Sequence, residues 1–185
     1  KDVKREQEAA DHKVKRIADS TAAGLIWPSM RYEVAENCMT CHGLAHPGLK
    51  ADDLAKMLGA GHPINPGFEL VKYSQGSVRH RHYPPDIKTN AEMTPQELAQ
   101  IYVIGQAAAL VSATEVISKS SEAKYKEAQS KRVEIAKSAL GGVSEAAGLL
   151  AAPTRENAIK FVQSIAGKDL TGAVGSKLPA KSDYK

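Results

Sequence analysis

Residues 38–42 of this 185-residue chain read Cys38-Met39-Thr40-Cys41-His42, and no other stretch constrains the fold as much. Two cysteines two residues apart, followed at once by histidine, form the signature of c-type haem attachment. Each thiol adds across one haem vinyl group, and two intervening residues let both sulfurs reach neighbouring pyrrole rings. The next residue then lies beneath the iron, where a neutral imidazole is a good axial ligand. Cys38 and Cys41 are the only cysteines in the chain, so no thiol is left for another task. A thioredoxin-like redox pair would sit between a strand and a helix. Half a zinc site would need a second ligand pair at matching spacing, and the sequence offers none. The motif therefore predicts one covalently attached haem c, held by Cys38 and Cys41 with His42 as proximal ligand.

A buried macrocycle would also relieve a shortage in the composition. Hydrophobic residues make up 42% of the chain but aromatic ones only 5%, namely two Phe, one Trp and six Tyr. A haem supplies the large apolar surface that these side chains lack. The formal charge is +4, and the excess lies late in the chain: residues 113–185 carry twelve Lys/Arg against eight Asp/Glu. That balance is too mild to indicate nucleic acid, so no nucleic-acid partner is expected. No run of about twenty apolar residues occurs, so no membrane span is predicted. A c-type haem is attached outside the cytoplasm, which predicts a periplasmic or other extracytoplasmic location. The absence of a signal peptide at Lys1 suggests a processed chain or a tether whose segment is not present here.

Taken in order, residues 2–24 have helical spacing through Ala10, Val14, Ile17, Ala18 and Ala22, a thin alanine-rich stripe in charged surroundings. Gly24 and Pro28 break it. A second helix is expected over 29–41 and a third over 51–58, with Asp52 in its first turn and Gly59 as its stop. Residues 59–93, rich in Gly, Pro, Asn and Ser, read as a long irregular loop suited to wrapping a cofactor. Thr94-Pro95-Gln96-Glu97 opens the most apolar helix with a capping box and a proline at the first helical position. Residues 113–151 continue as a charged helix or helical pair with a break at Gly141-Gly142. Thr154 to Ala166 predicts another amphipathic helix, and Lys168 to Lys185 is expected to be extended and loosely held.

Asn37-Cys38-Met39-Thr40-Cys41-His42-Gly43, followed by Pro47 and closed by an apolar helix after residue 94, resembles the small monohaem cytochromes c. The resemblance spans roughly residues 29–112. It implies an all-α, cytochrome c-like haem domain over 29–112, with a helical N-terminal extension (1–28) and a charged helical C-terminal extension (113–185). It also implies that the Pro47 carbonyl orients the proximal histidine, with His46 at the solvent edge. In that family a loop methionine supplies the sixth iron ligand, and Met93 stands in roughly that place, although it directly precedes its helix where the family leaves several residues. His80 and His82, alternating with Arg79 and Arg81, are the rival ligands, since residues two apart in extended chain point the same way. His62, Met57 and Met30 are weaker candidates, and an open sixth position is a further alternative.

The function expected on this basis is single-electron transfer between redox protein partners, without enzymatic chemistry. No Gly-rich phosphate loop or nucleophile arrangement accompanies the motif. The extensions are expected to dock the haem domain onto a larger complex, a membrane-associated one included, or onto a copy of itself. The alternative is a haem-based sensor or ligand-binding protein with an open or weak sixth site. The four-helix cytochromes c-prime, the nearest such family, carry the motif near the C-terminus rather than at residue 38.

Overall fold

The computed structural model describes residues 9–76 and 92–185. Among them the regular elements are all helical, so the fold is all-α. Its centre is the helix predicted after Thr94, here α5 (Pro95–Lys119), taking α1 to α4 as the helices before it. Every residue from Ala99 to Val111 is buried. A helix apolar on all sides belongs inside the protein rather than at its surface. The start is as the sequence dictates: Thr94 Oγ1 accepts from the Glu97 N–H, and Glu97 Oε2 accepts from the Thr94 N–H at 2.8 Å. Among the described residues α5 alone is long and apolar enough to cross a membrane. Most of its apolar stretch, 72%, is buried inside the protein, as a soluble core helix would also be.

The other elements are arranged around that rod. Helix α1 (His12–Ala22) buries no residue. Helix α2 (Arg31–His42) carries the cysteines in its last turns and packs across α5 through Tyr32, Ala35 and Met39. Helix α3 (Ala51–Gly59) buries Ala51, Leu54 and Ala55 in a smaller cluster with Leu44, Val116 and Tyr125. Helix α6 (Ala123–Leu140) returns along α5 after the three residues Ser120–Glu122, giving an antiparallel hairpin. A 3-10 turn (Ser144–Ala146) leads into α7 (Ala147–Ala151), α8 (Arg155–Ser164) and α9 (Thr171–Val174).

Two expectations change. The Gly- and Pro-rich stretch contains a helix, α4 (Leu70–Ser74), because the Glu69 carboxylate caps it by accepting from the Val71 and Lys72 N–H groups. Gly105 on α5 lets Leu70 approach closely, since a Cβ there would lie 2.9 Å from Leu70 Cγ. The stretch after Lys168 is not loosely held: Leu170 and Val174 are buried, and the Lys185 N–H donates to the Lys72 carbonyl at 2.9 Å. Residue 112, the sequence-based domain boundary, falls inside α5. One core cluster runs from Tyr32 to Val174, so the segment after 112 and the motif helix share their packing. The helix or helical pair expected over 113–151 is the end of α5, to Lys119, followed by α6, which ends at Leu140 beside the predicted break.

Candidate functional site

Successive residues of an α-helix are rotated by about 100°, so the positions of α2 sort into faces. Tyr32, Ala35 and Met39 turn inward, and Cys38, Cys41 and His42 lie beside them on the rim of a cleft of about 420 Å³. Its opposite wall is built by Phe68, Leu70 and Tyr73. Phe68 is set by local chemistry: Asn65 Oδ1 accepts from the Gly67 N–H and the Asn65 carbonyl accepts from the Phe68 N–H, each at 3.0 Å. The same Asn65 donates through Nδ2 to the Tyr73 hydroxyl at 3.2 Å. The His42 imidazole lies on Phe68 with ring centroids 3.9 Å apart and planes 4° from parallel, and Tyr73 flanks both rings.

Both thiols are unpaired, Cys38 half-buried and Cys41 exposed. Burial pushes the Cys38 thiol up. A thiol–disulfide oxidoreductase does the opposite, placing its Cys-X-X-Cys pair at a helix N-terminus, where the positive dipole end lowers the thiol pKa. Here the pair sits in the last turns of α2, at the negative end. Neither burial nor this helix end favours the Cys38 thiolate.

The turn after His42 is held from a distance. The Leu44 N–H donates to the Cys41 carbonyl at 3.0 Å and the Ala45 N–H to the Thr40 carbonyl at 3.1 Å, a Schellman end in which Leu44 takes the position usually given to glycine. Leu44 has φ of 47°, the one non-glycine residue in the left-handed region among those described. That conformation costs on the order of 1–2 kcal/mol. Burial of its side chain at 2% exposure and a set of hydrogen bonds from α6 offset the strain. The Tyr125 hydroxyl donates to the Leu44 carbonyl at 2.5 Å, and Gln129 Nε2 donates to the Gly43 carbonyl at 2.9 Å. Arg132 Nη1 donates to the same Gly43 carbonyl at 3.0 Å. Glycine at 43 leaves room for this approach, since a Cβ there would lie 2.3 Å from Arg132 Nη2 and 2.6 Å from the Met39 carbonyl oxygen.

The remaining predicted residues divide. Met93 is half-buried against the main core, with its N–H donating to Gln75 Oε1 at 3.2 Å, and it is not among the residues lining the cleft. His80 and His82 lie outside the described residues. Pro47 borders a small separate cleft with Tyr32, Glu36 and Thr40 and does not line the cleft at His42. His46 is exposed and its Nδ1 accepts from the Gly48 N–H. His62, exposed, places Nδ1 2.9 Å from the Pro63 carbonyl. Sequence reasoning missed Phe68, Tyr73 and the α6 residues. Tyr125, Gln129, Arg132, Ala136 and Leu140 recur at helical spacing, and that pattern was the available signal.

No protein-family model matches this chain, and neither a curated protein nor a solved structure matches it. Among the described residues no group of three or more His, Cys, Asp or Glu side chains is gathered to hold a metal ion. A haem asks less of the protein, since the porphyrin supplies four of the iron's ligands.

Proposed function

We propose that this protein is a c-type cytochrome that carries single electrons between redox protein partners outside the cytoplasm. The observation that carries the reading is the convergence of Cys38, Cys41 and His42 on the rim of one largely apolar cleft, faced by Phe68, Leu70 and Tyr73. The residues fit the group. Two unpaired thiols three positions apart suit thioether links. Stacking on Phe68 engages the face of the His42 ring, whereas coordination uses the in-plane lone pair of a ring nitrogen, so the two are compatible. A haem bound there would supply a one-electron iron couple. The chain's own part is to fix the proximal imidazole through Phe68, hold the turn behind it through α6, and exclude water with the aromatic wall.

One observation favours a second reading, a haem-based sensor or small-ligand-binding protein: Met93 does not line the cleft. Optical spectra of the reduced protein with and without carbon monoxide separate the two. An unchanged spectrum supports electron transfer with six-coordinate iron. A shifted Soret band supports an open or weakly held sixth position.

A further inference from the structure

Arg132 is 2% exposed, and its acceptors are all neutral. Nη1 donates to the Gly43 carbonyl and to Gln129 Oε1, at 3.0 and 2.6 Å. Nη2 donates to Ser112 Oγ at 2.9 Å and Met39 Sδ at 3.4 Å. A buried cation without a carboxylate partner is costly, and one-sided removal of such groups usually destabilises. Here the compensation comes from the end of a helix. The last carbonyls of α2 carry the equivalent of about half a negative elementary charge, and that charge sits beside His42. Left alone it would stabilise the more positive, ferric state of an iron bound at the imidazole. A full positive charge against the Gly43 carbonyl more than cancels it.

We propose that Arg132 is a positioning and charge-setting residue for His42. It ties down the left-handed turn at Gly43-Leu44, and it raises the reduction potential of a haem held at Cys38, Cys41 and His42 above the value the bare helix end would impose. The proposal rests on the haem reading. It assigns α6, outside the expected haem domain, a direct part in tuning the site.

Potentiometric titration of the haem-loaded full chain tests the charge. Arg132→Gln removes the charge, and Arg132→Lys keeps it while losing the planar fork. Ser112→Asp gives Arg132 an anionic partner 20 residues away in sequence, on α5, and neutralises it without substituting a residue of α2. Arg132→Gln and Ser112→Asp are expected to shift the reduction equilibrium toward ferric iron by about tenfold, about 59 mV for a one-electron couple. Arg132→Lys is expected to stay near wild type in potential. Should Arg132→Gln fail to load haem, Ser112→Asp alone decides. Wild-type potential in Ser112→Asp overturns the proposal, as does an Arg132→Lys potential as low as that of Arg132→Gln. The clamp is read separately by melting the haem-free chain. Arg132→Gln should melt below wild type with partial rescue in Arg132→Lys, and equal melting of all three overturns the positioning role. A wild-type chain that acquires no haem sinks the underlying reading instead, and the charge role with it.

Discussion

The His42 imidazole lies flat on Phe68, 3.9 Å between centroids and 4° from parallel, so an aromatic ring 26 residues later in the chain covers one face of the motif histidine. Phe68 is itself nearly buried, which makes it a structural as well as an orienting group.

Phe68→Ala should therefore act on two observables. Loss of a buried aromatic side chain is expected to cost about 3 kcal/mol, read as a lower urea midpoint. In the haem-loaded protein, loss of the stacked ring should let the imidazole plane vary and broaden the electron paramagnetic resonance signal of ferric iron. Phe68→Leu should restore most of the stability but not the narrow signal. Equal signals in wild type and both variants would show that the stack does not orient His42.

Deletions from the two ends should behave differently. Removing residues 1–24 takes away a helix that buries nothing, so the melting temperature should hardly move. Ending the chain at residue 114 removes Leu140, Leu149, Phe161, Ile165 and Val174 from the core. At about 1.5–3 kcal/mol for each large apolar side chain, that loss rivals the whole stability of an ordinary domain, about 5–15 kcal/mol. The fragment 25–114 should show no cooperative transition. A sharp transition in that fragment would support a domain boundary at residue 112.

What could be read from the sequence was local, and what could not was distant. The Thr94–Glu97 box spans four residues, and the Cys38–His42 spacing is its own signal, so both were visible without a fold. Arg132 meets Met39 across 93 positions, and a lone arginine in a lysine-rich helix reads as surface until the partner carbonyls are in view. The tail after Lys168 looked loose because its lysines and glycines outnumber two spaced apolar residues, Leu170 and Val174, that tertiary contacts bury. Helix α4 hid in a loop-like composition, since its cap is a glutamate rather than the usual Ser, Thr, Asp or Asn.

Tyr125 makes the hold on Leu44 dependent on alkaline pH. Burial pushes its phenol up to about 12. A group raised in the folded state contributes stability that is full below its unfolded value of about 10 and is lost as pH rises through the folded value. Stability from Tyr125 should therefore fall between about pH 10 and about 12. Arg132, pushed down to about 10 by burial, works in the opposite direction over the same range. The difference between wild type and Tyr125→Phe reads the phenol together with its coupling to Arg132: about 1 kcal/mol in favour of wild type at pH 8, shrinking toward pH 12. A constant difference across that window would exclude ionisation of Tyr125 as its source.

The distal ligand is decided by substitution. If Met93 binds iron, the oxidised protein should show the weak long-wavelength charge-transfer band of iron–thioether coordination, and Met93→Ala should abolish it. His80→Ala and His82→Ala should leave the spectrum unchanged. A spectrum altered by one of the histidine variants and not by Met93→Ala would transfer the role to residues 79–83.

The central claim is that Cys38 and Cys41 carry a haem. The direct measurement is the mass of the proteolytic peptide spanning residues 38–42, from protein exported alongside a cytochrome c maturation system and washed with acid acetone. The account predicts that this peptide holds one haem through both sulfurs after the wash, and that Cys38→Ala with Cys41→Ala holds none. A wild-type peptide recovered with two unmodified thiols, from cells that mature other c-type cytochromes, would contradict it.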